Sequence, residues 1–273
     1  MSLPRNLAAN LSADPNSVTN LDGLSPAQLL QFDRDGFLVI HKAVDSDWCD
    51  AIRQLTDDHL QRHIQPLEYE ADLHYPGSPE SRNARGGKTV RRLLQAQSRD
   101  PLIMRFINDT GLQTCLRQLL KNPVVMSLAH HNCIMTKHPS FSSETHWHQD
   151  IRYWSFQQAE LINTWIALGR EYHDNGGMKV IPGSHKLDID LEQLGDELFF
   201  RTDLEKNRVT LAKSVDVDLS KGDILLFHCR TLHAAGKNTA AEAKYSAVFT
   251  FHAAENKAVA GTRSAKFPEL VFP

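Results

Sequence analysis

Histidine is the commonest metal ligand in proteins and a common acid or base. This chain carries fourteen, ten of them between His130 and His252. The sharpest cluster is His146-Trp147-His148-Gln149-Asp150. Alternate residues of an extended chain share a face. His148 and Asp150 can therefore address one cation, and so can His146. A His-x-Asp pair joined by a distant histidine makes a 2-His-1-carboxylate set, which leaves three cis positions open on a non-haem iron. Open positions are needed where a co-substrate and O2 must both reach the metal.

A candidate for the distant histidine lies further on. Gly222-Asp223 reads as a turn feeding a buried strand through His228, and His233 follows just past its end. A ligand there would face the mouth of a barrel. Residues 244–252 then alternate cleanly. Tyr245, Ala247, Phe249 and Phe251 share one face, predicted to pack into the core. Lys244, Ser246, Val248, Thr250 and His252 share the other, predicted to line a polar cavity. A buried lysine is rare unless an anion pairs with it.

Other residues near these segments are candidates for pocket roles. Arg152 and Trp154 follow Asp150 closely and are placed to meet a substrate. His131, Asn132 and Lys137 lie on the run leading to the His-x-Asp pair, and His146 precedes it. Arg85, Lys88, Arg91 and Arg92 form a basic cluster suited to an anionic small molecule. Gly87-Lys88-Thr89 looks like the end of a phosphate-binding loop, but Arg82 stands where that loop needs its first glycine.

The elements that must position these residues follow from composition and periodicity. A chain of 273 residues with 41 % apolar and 23 % charged residues and a net charge of −3 is an ordinary globular one. It is neither disordered, collagen-like nor a basic nucleic-acid binder. Four separated cysteines without a CxxC pair argue against a disulfide framework and for a reducing, cytoplasmic setting. No run approaches the ~18 apolar residues of a membrane helix. Residues 1–23 are rich in Asn, Ser, Asp and Pro and read as a poorly ordered arm. Ser25-Pro26 opens a short helix with Leu29, Leu30 and Phe32 that stops near Asp35-Gly36, and residues 37–40 make a strand. Asp45 or Ser46 caps a helix with Trp48, Ala51, Ile52 and Leu55 on one stripe. Residues 65–88 lose all pattern and read as a long loop. A helical pattern spans 102–120 with a break at 108–111. After Pro123 the candidates are strands at 124–137, 161–168, 179–181, 223–228 and 244–252. The acidic stretch 187–207 reads as a surface insertion. Helices first and strands afterwards predict an α+β, mainly β fold.

Taken together, these motifs resemble the phytanoyl-CoA dioxygenase family of iron(II)/2-oxoglutarate-dependent oxygenases. The resemblance covers nearly all of the chain after the arm. It rests on Phe32-Asp33-Arg34-Asp35-Gly36-Phe37-Leu38-Val39-Ile40, on Trp147-His148-Gln149-Asp150 and on Trp165-Ile166-Ala167-Leu168. Asn175-Gly176-Gly177, Ile181-Pro182-Gly183-Ser184-His185 and Gly222-Asp223 through His233 complete it. It implies a double-stranded β-helix (a jelly-roll, cupin-like barrel) with N-terminal helices packed on one sheet. It implies one oxygenase domain over 24–273, with helices mostly in 24–122 and the jelly-roll core mostly in 123–255.

The family register selects His148, Asp150 and His233 as ligands of Fe(II) and leaves His146 as a pocket residue. It implies 2-oxoglutarate as co-substrate, O2 as oxidant, and hydroxylation of a small molecule with release of succinate and CO2. In that family a basic residue eleven positions after the last histidine holds the remote carboxylate of 2-oxoglutarate. Here it is Lys244 where Arg is usual, a point charge in place of a fork. Ser246 is expected to add a hydrogen bond, with Trp165, Asn132 and Lys137 nearby. Related halogenating enzymes lack the carboxylate ligand, so Asp150 favours hydroxylation. The alternative is a cupin-like metal-binding protein or isomerase without O2 chemistry. That reading would use His146-x-His148 with a glutamate a few residues later, and no glutamate appears before Glu160. A zinc hydrolase finds no His-Glu-x-x-His helix to support it.

Overall fold

A computed structural model of the chain describes residues 17–272. Residues 1–16 of the expected arm lie outside them. Residues 17–23 are not an arm. Val18 is buried, Thr19 bridges Val44, and Asp109 gathers the backbone N–H groups of Val18 and Thr19 with the hydroxyls of Ser17 and Thr19.

The helical half begins with α1 (Pro26–Asp35), where Ser25 and Gln28 form a reciprocal capping box. It ends at Gly36, which adopts φ 77°. A Cβ there would collide with the His185 ring, so both the left-handed turn and the close approach demand glycine. The strand β1 (Phe37–Ile40) follows, then α2 (Ser46–Gln61), whose first N–H groups bond to Asp45. Residues 65–88 are not pure loop, because β2 (Leu67–Tyr69) pairs with β3 (Val90–Leu94). The helices α3 (Pro101–Ile107) and α4 (Thr110–Leu120) meet at the expected break, with Asp109 capping α4.

The strand half contains β4 (Val124–Lys137), β5 (Thr145–His148), β6 (Leu161–Ala167) and β7 (Met178–Val180). A short α5 (Glu205–Leu211) precedes β8 (Val215–Val217), β9 (Ile224–His228), β10 (His233–Ala235) and β11 (Lys244–Ala253). The chain closes with α6 (Arg263–Lys266) and β12 (Glu269–Val271). Among the described residues, all pairings are antiparallel and fall into two sheets. The larger runs β1-β9-β6-β11-β4-β3-β2, with β12 also on β4, and the smaller runs β5-β10-β7-β8. This is a jelly roll with an open edge and not a closed barrel.

Strand phase divides the layers. Tyr245, Ala247, Phe249 and Phe251 face the helices and join Trp48, Ile52, Phe106 and Leu116 in the main core. The other face of the large sheet meets the small sheet, where Val248, Trp165, Phe227 and Val180 pack. Lys244 and Ser246 sit at the polar end of that face, which opens into the cavity described below. Between Asn132 and Ser127 the β4–β11 pairing breaks register, so residues 128–131 bulge from the ladder.

Asp109 ties the N-terminal segment to this core. Burial disfavours its charge, but bonds from the Ser17 and Thr19 hydroxyls and from the Leu112 and Val18 N–H groups outweigh that and hold its pKa below the usual value. A depressed carboxylate pKa contributes stability that is complete above the unfolded value, about 3.9 for Asp. The contribution is lost as pH falls through the folded value. Asp109→Asn is expected to lose about 2 kcal/mol in urea unfolding at neutral pH, and the gap to wild type should close below about pH 4. An unchanged unfolding midpoint at pH 7 would show that the carboxylate does not anchor the segment.

Candidate metal centre and its cavity

Three side chains converge between the sheets. His148 ends β5, Asp150 opens the turn after it, and His233 begins β10, directly opposite His148 in register. All three are buried, and one potential ligand atom from each lies within 4.8 Å of the others. This is the only such group among the described residues.

Each side chain is held by hydrogen bonds that leave one atom facing the centre. The His148 Nδ1–H donates to the His146 carbonyl at 2.8 Å, and the His233 Nδ1–H donates to the Thr231 carbonyl at 3.0 Å. These acceptors hold a proton on each Nδ1, so Nε2 is the atom of each ring that faces inward and is free to bind a metal once it carries no proton. Asp150 Oδ2 accepts from His131 Nε2 at 3.0 Å and from Asn163 Nδ2 at 2.8 Å. Asn163 Oδ1 in turn accepts from the Thr250 hydroxyl. Asp150 Oδ1 has no hydrogen-bond donor, though it is buried, with the two Nε2 atoms 3.2 and 3.5 Å away. Three buried lone-pair atoms facing one another repel unless a cation lies between them. The donor set of two imidazoles and one carboxylate therefore fits a divalent metal such as Fe(II).

The electrostatics agree. Burial, and then the neighbouring His233, push the His148 pKa down to about 4, so its imidazole is neutral at pH 7. Burial opposes charge on Asp150, but the facing His131 and His233 rings outweigh it and hold the carboxylate well below its usual range. Burial also opposes the His233 cation. The Asp150 carboxylate prevails there and raises the His233 pKa, so an incoming metal displaces a proton from this pair.

The cavity beside the centre is lined by His131, Lys137, Tyr153, Trp165 and Lys244, together with Arg91. Several expected pocket residues have other occupations. Asn132 faces the opposite side of β4 and spends its amide on Gln97. An odd spacing of five from Lys137 places the two on opposite faces of a strand. Trp154 packs behind His131 with Ala129, Leu161 and Cys229. His146 is exposed at the rim beside Phe199 and takes no place in the ligand set. Arg91 lines the cavity, but its guanidinium braces Glu70, Ser143 and Thr145. His131 is a positioning residue for Asp150. Arg152 lies over the Phe199 ring at 4.0 Å, with a distant Glu197 partner at 3.5 Å.

Three residues that sequence reasoning missed matter here. Asn163 orients Asp150, and its signal was an amide within a fully buried, mostly apolar strand. Glu171 places its carboxylate on Lys244 Nζ at 2.9 Å, on the Ser246 hydroxyl at 2.7 Å and on the Trp165 indole N–H at 3.1 Å. Lys244, Ser246 and Trp165 converge on a carboxylate of the chain itself, not on that of a ligand. Phe199, from the 187–207 insertion, roofs His148 at 5.8 Å between ring centroids. That insertion is therefore part of the site and not a remote surface feature.

A jelly roll carrying two histidines and a carboxylate at the end of its small sheet defines the class of non-haem iron oxygenases. The phytanoyl-CoA dioxygenase (PhyH) family model matches residues 32–245, and the chain belongs to that family of iron(II)/2-oxoglutarate-dependent oxygenases. A probable phytanoyl-CoA dioxygenase of Caenorhabditis elegans is 23 % identical over 79 % of this chain and 71 % of its own length. An ectoine dioxygenase of Bordetella bronchiseptica is 21 % identical over 86 % of this chain and 77 % of its own. Among solved structures, EctD from S. alaskensis with 2-oxoglutarate and 5-hydroxyectoine superposes with a TM-score of 0.70 at 20 % identity, covering 89 % of this chain and 82 % of that one. The epimerase SnoN, solved with Fe3+, alpha-ketoglutarate and nogalamycin RO, gives 0.67 at 19 % identity, over 85 % of this chain and 84 % of that one. The family cofactors are Fe(II), 2-oxoglutarate and O2, and the triad can hold the metal. No helix among the described residues is long and apolar enough to cross a membrane.

The hydrogen bonds to Asp150 predict how metal binding responds to mutation and pH. Mn(II) or Co(II) titrated calorimetrically in two buffers of different ionisation enthalpy should release a proton near neutral pH and bind more tightly as pH rises. Asp150→Asn should lose most of the affinity. Asn163→Ala should weaken it by about 10- to 100-fold. Wild-type affinity in Asn163→Ala would show that the amide does not orient the carboxylate.

Proposed function

We propose that this protein hydroxylates a C–H bond of a small, anionic molecule at a metal held by His148, Asp150 and His233. The observation that carries the reading is the retained carboxylate. Asp150 keeps one oxygen fixed by His131 and Asn163 and presents the other beside two oriented imidazoles. When bound, Fe(II) with 2-oxoglutarate and O2 supplies the oxidising power for C–H cleavage, with succinate and CO2 released.

The chain supplies position, polarity and shelter. The carbonyls of His146 and Thr231 hold both imidazoles in the ligand tautomer. Phe199 and Tyr153 flank His148 and exclude water from that side. Arg152 stands at the roof with its Nη1 buried and without a partner among the described residues, which supports an anionic substrate. The solved relative that contains 5-hydroxyectoine carries a hydroxylated small molecule, and this supports hydroxylation over the alternative of a metal site without O2 chemistry.

The test begins without oxygen. Metal-free protein given Fe(II) and 2-oxoglutarate should develop a weak visible charge-transfer band, and admission of O2 should then yield succinate even without the true substrate. Asp150→Ala should show neither. A wild-type protein with neither band nor succinate would overturn the reading. Succinate formation undiminished in Asp150→Ala would show that Asp150 is not the carboxylate ligand.

A further inference from the structure

The cavity holds four cationic side chains, and three already have a carboxylate. Arg91 pairs with Glu70 at 3.1 Å, Arg92 with Glu68 at 2.9 Å and Lys244 with Glu171 at 2.9 Å. Lys137 is the fourth. It is 7 % exposed, and its ammonium contacts only the carbonyls of Ala235 and Gly236, with no carboxylate within ion-pair distance among the described residues. A buried ammonium facing only carbonyl dipoles is under-compensated. Burial, followed by the neighbouring Arg91 and Lys244 charges, accordingly pushes its pKa well down.

The geometry makes Lys137 an alternative to Lys244. The two lysines are direct partners across β4 and β11 and therefore share a face. Lys137 reaches the end of β10, the strand that begins with His233. Two residues along a strand span about 7 Å, comparable to the length of a five-carbon dicarboxylate anchored at the metal. Gly176, at φ 74°, leaves the room its stem needs, since a Cβ there would lie 2.6 Å from Lys137 Cδ. Glu171 is not loosely placed. Its backbone is clamped to Leu219 by two hydrogen bonds of 2.8 and 2.9 Å, and its carboxylate takes three donors.

We infer that Glu171 permanently occupies the Lys244, Ser246 and Trp165 donors, and that Lys137 is the residue that binds the remote carboxylate of the 2-oxo acid co-substrate. This rests on the proposed metal site, which anchors the other end of the co-substrate. The carboxylate clamp is thereby displaced by one strand, from β11 to β4. Lys244 with Glu171 becomes an internal ion pair that shapes the cavity without reading the ligand's charge.

The test measures binding and not turnover. Anaerobic calorimetry on Mn(II)-loaded protein compares 2-oxoglutarate with 2-oxopentanoate, which has the same chain length without the remote carboxylate. Wild type should prefer 2-oxoglutarate by about 10- to 100-fold, the worth of a charge-assisted hydrogen bond. Lys137→Met and Lys137→Gln should bind the two acids about equally. The double variant Glu171→Gln with Lys244→Met should keep the wild-type preference.

A retained preference in Lys137→Met, or its loss in the double variant, would overturn the inference. Loss in the double variant would mean that the ligand displaces Glu171. A wild type that binds both acids equally would also overturn it, while leaving the metal site intact. If neither acid binds metal-loaded wild type, the underlying reading of the site fails first. Should both Lys137 variants fail to fold, the double variant alone decides.

Discussion

Asp150 divides its two oxygens between the protein and a cation. Oδ2 is consumed by His131 and Asn163, while Oδ1 is left beside the Nε2 atoms of His148 and His233. That division depends on both sheets. The histidine ligands come from adjacent strands of the small sheet, and the groups that fix Oδ2 come from β4 and β6 of the large one. The carboxylate thus joins two layers that share no strand pairing among the described residues. Its orientation depends on the register of β4, β6 and β11 as much as on the His-x-Asp sequence.

The second constraint is charge neutrality in a buried space. Charges out of water are costly unless paired and hydrogen-bonded, and the cavity wall meets this with Glu68, Glu70 and Glu171 against Arg92, Arg91 and Lys244. Glu68 and Glu70 come from β2 and the turn after it, next to β3, whereas Glu171 lies 73 residues from its partner. These pairs turn an otherwise strongly cationic pocket into one with little surplus charge. They also brace it, since Arg91 links the 70–72 turn to Ser143 and to Thr145 on β5.

Much of this was legible in the chain. The long strand β4 was legible as a strand candidate after Pro123, without clean alternation. The long strand β11 follows from alternation, and β6 and β9 from buried apolar runs, because strand phase is written locally. The caps at Ser25 and Asp45 were legible for the same reason. The edge strands β2 and β12, and β3 between β2 and β4, were not, since runs of three to five residues carry little periodic signal. Asn132 reads as a cavity residue from its place before the His-x-Asp pair, but its odd spacing of five from Lys137 puts it on the opposite face of β4. Glu171 is a different case. Its partners lie 73 and 75 residues away, and nothing local marks a carboxylate that will be buried by distant strands. The insertion at 187–207 was located by composition, but only tertiary structure shows Phe199 above His148.

The roofing segment also bears on how such a site can diversify. It lies between β7 and β8, both in the small sheet, and meets the ligand strand through a backbone bond from Phe200 to the Trp147 carbonyl. None of the metal-facing atoms lies within it. Its length and side chains can therefore vary without shifting a strand register or a ligand tautomer. In architectural terms the reaction centre and its doorway are separate modules, so substrate preference can drift while the oxidising machinery stays fixed.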